Sequence, residues 1–280
     1  MIELSRHEFK RVTNLLNDEH VHCTFAYSVV EEKQPGRIFV DDLINPTNCL
    51  ICCKSGKYLV CGNTDNDTFN ESLDDYLYNR KNHGCYFDLY SSSESWIKKL
   101  DEILFDNAAK LSRQLFNFDY SNLASLSKYE LQLPDNFELR RMDEDLFIKY
   151  ANEIDESYFN LWGTAENFIR NGFGFCILKD NEFVSVCNTY YVKYGSAEID
   201  IITLNSFRNQ GFALMTCTAF ISYCIKHNIN PIWDCDNGNK ESKNLAKKLG
   251  FKSVETYQMH WWHENKRFVD IYLNNYNYTT

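Results

Sequence analysis

One stretch constrains this chain more than any other: Ile201-Ile202-Thr203-Leu204-Asn205-Ser206-Phe207-Arg208-Asn209-Gln210-Gly211-Phe212-Ala213. An apolar strand runs into a tight basic turn, and a helix opens at Gly211. The first N–H groups of a helix have no intrahelical partner, and the helix dipole places partial positive charge beside them. Together they form a site for anions. Gly211 leaves room for a phosphate to approach the backbone, Ala213 keeps the next position small, and Arg208 adds a charge. The turn suits a pyrophosphate, so the sequence points to a nucleotide-linked cofactor.

The surrounding pattern predicts a mixed α/β fold. Residues 5–17 read as an amphipathic helix. Strands are expected near 37–42, 49–54, 57–61 and 85–90, with helices over 69–79 and from Ser93 to Phe105, the latter extended or followed by residues 108–117. Ser55-Gly56 marks a hairpin. Residues 118–136 carry Ser, Asn and Pro134 and read as a linker, which divides the chain into an N-terminal α/β domain (1–125) and a second domain (126–280). In the second domain a strand at 137–141 precedes helices at 143–154 and 164–169. Three consecutive strands follow, at 173–179, 182–191 and 197–204. A helix over 211–227, a strand at 231–236 and a helix over 240–249 come next, with Gly250 as C-cap. Two final strands are expected near 251–262 and 267–273.

Composition limits the partners. A formal charge of −10 over 280 residues disfavours nonspecific nucleic-acid binding and anionic membrane surfaces, and tolerates a cationic or amine-bearing substrate. No apolar run approaches membrane-span length, and the charged N-terminus does not resemble a signal peptide. Eleven cysteines, an odd number without framework spacing, read as reduced and mostly buried thiols of a cytoplasmic protein. Cys49 and Cys52 would point to opposite faces of a strand, as would His260 and His263. Neither pair suits a single ion, and no metal site is expected.

The order of elements, with Arg208-x-x-Gly211-x-Ala213, resembles the GNAT superfamily of acyl-CoA-dependent N-acetyltransferases. Ile201–Thr203 match the place where such proteins splay a strand that pairs with pantetheine. Asn239 follows the next strand, where the superfamily often has a cofactor-facing asparagine. Leu249-Gly250-Phe251 matches the usual end of the last helix. The wider run Pro231-Ile232-Trp233-Asp234-Cys235, Asn239-x-x-Ser242 and Leu245-Ala246-x-Lys248-Leu249-Gly250-Phe251 resembles a bacterial GNAT subfamily that includes zwittermicin A resistance-type enzymes. So do Gly172–Cys176 and Ala197-Glu198-Ile199. The first half would then be a degenerate GNAT-like unit without a cofactor site of its own.

The resemblance implies acetyl-CoA as co-substrate and a small-molecule amine as acceptor. Backbone at Ile201, Ile202 and Thr203 would hold pantetheine. Arg208, Asn209, Gln210, Gly211, Phe212, Ala213 and Leu214 would hold the pyrophosphate, and Asn239 and Ser242 would complete the cofactor site. Two carboxylates stand as candidate bases: Asp234, five residues before Asn239, and Glu198, placed as in histone-type enzymes. Asp200 shares a strand face with Glu198, and paired carboxylates raise one pKa. The chain departs from the family at Ala246, where many members carry the tyrosine that protonates the leaving thiolate. A non-catalytic acyl-CoA-binding or interaction module is the rival reading. The acceptor's identity and the oligomeric state, a homodimer included, stay open.

Overall fold

Short polar residues open most of the helices, and apolar strands separate them in an order that occurs twice. The computed structural model describes residues 1–16, 23–129, 133–276 and 278. The chain divides into two units, residues 1–113 with 257–280 and residues 114–256. The C-terminal segment therefore belongs with the first unit, whereas the sequence-based division placed it in the second.

In the first unit, β1 (Ile2–Glu3), β2 (Gly36–Val40), β3 (Asn48–Cys53) and β4 (Lys57–Gly62) pair antiparallel in chain order, and β5 (Tyr86–Ser91) lies parallel to β4. Helix α1 (Thr24–Val30) precedes β2, α2 (Asp67–Tyr78) makes the β4–β5 crossover, and α3 (Glu94–Leu104) follows β5. Asn66 and Ser93 cap α2 and α3 by accepting hydrogen bonds from Phe69 N and Trp96 N. These caps satisfy donors that a helix start otherwise leaves open. Leu50, Val60, Phe87, Leu89, Trp96 and Leu100 belong to the core of this unit. The buried Trp96 indole donates to the Gly62 carbonyl at 2.8 Å.

The second unit repeats the scheme. After β6 (Ala109–Phe118), whose residues from Gln114 onward belong here, β7 (Phe137–Arg141) leads to α4 (Glu144–Glu153), α5 (Ser157–Trp162) and α6 (Ala165–Asn171). Strands β8 (Gly174–Lys179), β9 (Glu182–Lys193) and β10 (Ser196–Thr203) continue antiparallel from β7. Helix α7 (Phe212–Lys226) crosses to β11 (Asn230–Asp236), which lies parallel to β10. Helix α8 (Lys240–Lys248), β12 (Phe251–His263) and α9 (Lys266–Asn275) complete the chain. Strand β6 neighbours β11 in this unit's sheet, while β12 returns to pair with β5 in the first unit through His260–His263. Phe220 of α7 stacks on Phe173 at 4.5 Å, and Phe212 packs with Ile177 and Val184. These contacts fix α7 on one face of the second sheet.

The hairpin between β8 and β9 turns at Asp180-Asn181, both at positive φ (51° and 65°), as a two-residue loop of the twist-compatible type requires. Four local expectations fail. Residues 267–273 are helical, not a strand. Asn265 caps α9 by accepting from Phe268 N at 3.2 Å, and the four-residue spacing of Phe268, Tyr272 and Tyr276 places Tyr272 against Trp261 and Tyr276. A run rich in β-formers thus satisfies a helical period as well. Residues 109–118 form β6 rather than a helical extension, and the expected linker contains a 3-10 helix, Tyr120–Tyr129. Arg6–Leu16 is a 3-10 helix in place of an α-helix, with Phe9, Val12 and Leu16 buried. All eleven cysteines are thiols outside any disulfide; ten are buried and Cys85 is exposed. His260 and His263 part as expected: His260 Nε2 lies 2.8 Å from Asp101 Oδ1, and His263 stacks on Tyr86.

Candidate active site

The parallel pair at the middle of the second sheet separates. Strand β10 pairs with β11 at Ser196–Asn230, Ala197–Pro231 and Glu198–Ile232, and no farther. With β9 it remains paired through Thr203. From Ile199 onward one edge of β10 therefore has no partner strand among the described residues. A bulge lies at the point of departure: Ala197 faces Val192 and Ile199 faces Thr189, so Tyr190 and Tyr191 together oppose Glu198. Such a bulge strengthens local twist, which helps turn the end of β10 away from β11. An open strand edge is a template for an extended ligand. Ile201, Ile202 and Thr203, all half-buried, form that edge.

Below this edge the chain makes the basic turn. Arg208 Nε donates to the Thr203 carbonyl at 3.2 Å and Gln210 Nε2 to the Ser206 carbonyl at 3.1 Å. Asn209 and Gly211 both take positive φ, 61° and 89°. Gly211 is the N-cap of α7, where no side chain accepts a hydrogen bond. A methyl group added at Gly211 would meet nothing within 4 Å. The glycine is thus required by backbone conformation, and open space lies beside an uncapped helix start. Arg208, Asn209 and Gln210 are exposed, Ala213 and Leu214 are half-buried, and Phe212 turns its side chain into the core. Any role of Phe212 toward a ligand rests on its backbone.

Beyond β11 the polar residues have structural duties. Asn239 Oδ1 accepts from Ser242 N at 3.0 Å and so caps α8, and Ser242 Oγ accepts from the Trp233 indole at 3.0 Å. Ala246 is wholly buried, so the position where many relatives carry a tyrosine faces the core here. The register pairs Glu198 with Ile232. Alternation then puts Glu198, Asp200, Asp234 and Asp236 on one face of the sheet at the point of parting. Glu198 is buried and Asp234 half-buried.

Tyr158 of α5 joins this face. Its hydroxyl donates to Asp200 Oδ2 at 2.6 Å. Burial, then the neighbouring Asp200 charge, pushes the Tyr158 phenol well above its ordinary value, so it holds its proton and stays a donor. The opposite residue on β9 is Asn188, which is 1% exposed and has no hydrogen-bond partner for either side-chain polar atom among the described residues. Neither Tyr158 nor Asn188 was identified from sequence. Asn188 left one trace, an amide within the apolar strand run Val184–Tyr191. Tyr158 left none, because only tertiary packing brings α5 to β10.

The family model for GNAT acetyltransferases matches residues 13–260. The chain belongs to the GNAT acetyltransferase family. It is similar to YdfB of Bacillus subtilis, named as an uncharacterized N-acetyltransferase, with 32% identity over 260 residues, 92% of this chain and 97% of the relative. Among solved structures it resembles a GCN5-related N-acetyltransferase-like protein from Streptococcus suis, with TM-score 0.73, 23% identity, and coverage of 92% of this chain and 99% of the other. A tandem GNAT protein of clavulanic acid biosynthesis has TM-score 0.65, 8% identity, and coverage of 94% and 98%. These two structures share the fold. As a GNAT member the chain is an acyltransferase. Among its described residues no helix is long and apolar enough to cross a membrane, and no three His, Cys, Asp or Glu residues gather as metal ligands.

Proposed function

We propose that this GNAT protein transfers the acetyl group of acetyl-CoA directly to a primary amine of a small molecule in the cytoplasm. The observation that carries this reading is the parting of β10 from β11 beside the uncapped start of α7. Pantetheine lies along Ile201–Thr203 as an added strand, and the pyrophosphate takes the backbone N–H groups of 209–214, with Arg208 adding charge. Asn239 and Ser242 border the cofactor from α8. The acceptor loses a proton, its nitrogen attacks the thioester carbonyl, and the C–S bond breaks. The CoA thiolate leaves and is protonated, so an ammonium and acetyl-CoA yield an amide, CoA and one proton.

Most of the acceleration comes from holding amine and thioester together. A general base adds about 10²–10⁴-fold. Asp234 and Glu198 remain the two candidates. Asp234 lies past the last residue of β11 that pairs with β10 and is half-buried, which favours it over the buried Glu198. With Ala246 in the core, the leaving thiolate takes its proton from water or another group.

The test is CoA thiol release over a panel of amines, together with cofactor titration. Gly211→Glu places a carboxylate in the open space of the turn. It should abolish acetyl-CoA binding and turnover while the protein stays folded by circular dichroism. Wild-type cofactor affinity in that variant would refute the pyrophosphate assignment. Asp234→Asn should lower kcat by about 10²-fold or more if Asp234 is the base, and Glu198→Gln should do so instead if Glu198 is. Binding of acetyl-CoA without turnover of any amine would favour the non-catalytic reading.

A further inference from the structure

The side chains on the sheet face opposite α7 contain an unresolved account of hydrogen bonds. Asn188 is almost wholly buried, and both its Oδ1 and its Nδ2 lack partners among the described residues. Buried polar groups are nearly always paired, and each one left unpaired is destabilising. The surroundings hold this amide closely. It lies directly across from Gly174 on β8 and from Asp200 on β10. A methyl group on Gly174 would come 1.9 Å from Asn188 Oδ1, so glycine is what lets the amide occupy this place. On the other side stands Asp200, half-buried and anchored by Tyr158. The result is an unsatisfied donor and acceptor beside a fixed carboxylate, at the level where the edge of β10 opens.

We infer that Asn188 and Asp200 form the head-group site for the acceptor, and that Tyr158 is a positioning residue that orients Asp200. The inference rests on the proposed amine acetylation. Its chemistry narrows the acceptor class. Asp200 and Asn188 Oδ1 are both acceptors and together take an ammonium, whose three N–H groups need such partners. Asn188 Nδ2 is a donor and takes an oxygen on the neighbouring carbon. The acceptor is therefore a primary amine flanked by a hydroxyl or carbonyl oxygen, as in an amino alcohol, an amino sugar or an amino acid amide. A simple alkylamine leaves the amide nitrogen unpaired and binds more weakly. Asp200 is the more exposed of the two side chains.

The experiment is calorimetric titration of the full-length protein, with and without saturating CoA, using glucosamine, serinamide, cyclohexylamine and N-acetylglucosamine. Glucosamine or serinamide should bind saturably and at least tenfold more tightly than cyclohexylamine, and N-acetylglucosamine should not bind. Asp200→Asn and Asn188→Leu should each weaken that binding tenfold or more and leave acetyl-CoA affinity within twofold. Tyr158→Phe should weaken amine binding less than Asp200→Asn; in turnover it should raise the acceptor KM with little change in kcat. Asn188→Leu also removes the unpaired amide, so its melting temperature should be equal to or above that of the wild type. No amine binding to the wild type, or unchanged binding in Asp200→Asn and Asn188→Leu, would overturn the assignment. Failure of acetyl-CoA to bind would instead overturn the proposed co-substrate, because amine binding is read without it.

Discussion

Helices α2 and α7 occupy the same place in two copies of one strand order, yet their N-termini offer opposite things to a ligand. Each follows three antiparallel pairings and leads into a strand parallel to the one before it. At α2, Asn66 accepts from Phe69 N at 3.1 Å and donates to Asp41 Oδ2 at 3.1 Å, and Asp67 sits in the first turn. A side chain thus takes one of the helix-start donors, and the local charge is negative. Strands β4 and β5 remain paired from Lys57–Asp88 to Val60–Ser91, and Ser92 N adds a bond to the Val60 carbonyl. At α7 no side chain caps the helix, the turn carries Arg208, and the parallel strands part after three pairs. The proposed cofactor site thus rests on more than the shared topology: only the second copy combines an uncapped helix start, a basic turn and an open strand edge.

The glycines beside these helices sharpen the contrast. Gly62, just before α2, has φ of 105°, and an added methyl group would fall 2.0 Å from the Thr47 carbonyl oxygen. Gly211 has φ of 89° with nothing within 4 Å. Gly62→Ala combines a left-handed backbone penalty with a steric clash and should cost about 2–5 kcal/mol. Gly211→Ala should cost only about 1–2 kcal/mol, from the backbone alone. Urea unfolding of both variants checks the order; equal losses would mean that the turn at Gly211 is as tightly enclosed as that at Gly62.

A smaller effect is expected at the cap. Asn66→Ala should remove about 1 kcal/mol of stability and leave acetyl-CoA affinity unchanged. A change in affinity would mean that the first unit takes part in binding. The smallest effect is expected at Arg208, an exposed charge beside the proposed pyrophosphate. Arg208→Ala should weaken acetyl-CoA binding about three- to tenfold at low salt, and less at high salt, where exposed charges are screened. Unfolding should not change. An affinity equal to that of the wild type at low salt would remove Arg208 from the site.

Much of this contrast was legible from local chemistry. Gly211 announced a helix start within a tight turn, and Ser55-Gly56 announced a hairpin, because each property belongs to one or two residues. The absence of a cofactor site from the first half was expected through the family resemblance. The parting of β10 and β11 was accessible only through the family resemblance, since pairing depends on residues far apart in sequence and on a bulge in the neighbouring strand. Tyr158 and Asp200 are 42 positions apart, and nothing in either local sequence links them. The segment at 267–273 misled because β-branched and aromatic residues satisfied two periods at once; the Asn265 cap and packing on Trp261 selected the helix.

On the proposed reading, one unit of the repeated fold holds the cofactor and the other does not. Calorimetric titration of the intact wild-type protein with acetyl-CoA, with ATP as control, tests it most directly. One saturable acetyl-CoA site per chain, absent in Gly211→Glu, is the expected result. Two sites per chain, or a single site that survives in Gly211→Glu, would contradict the claim.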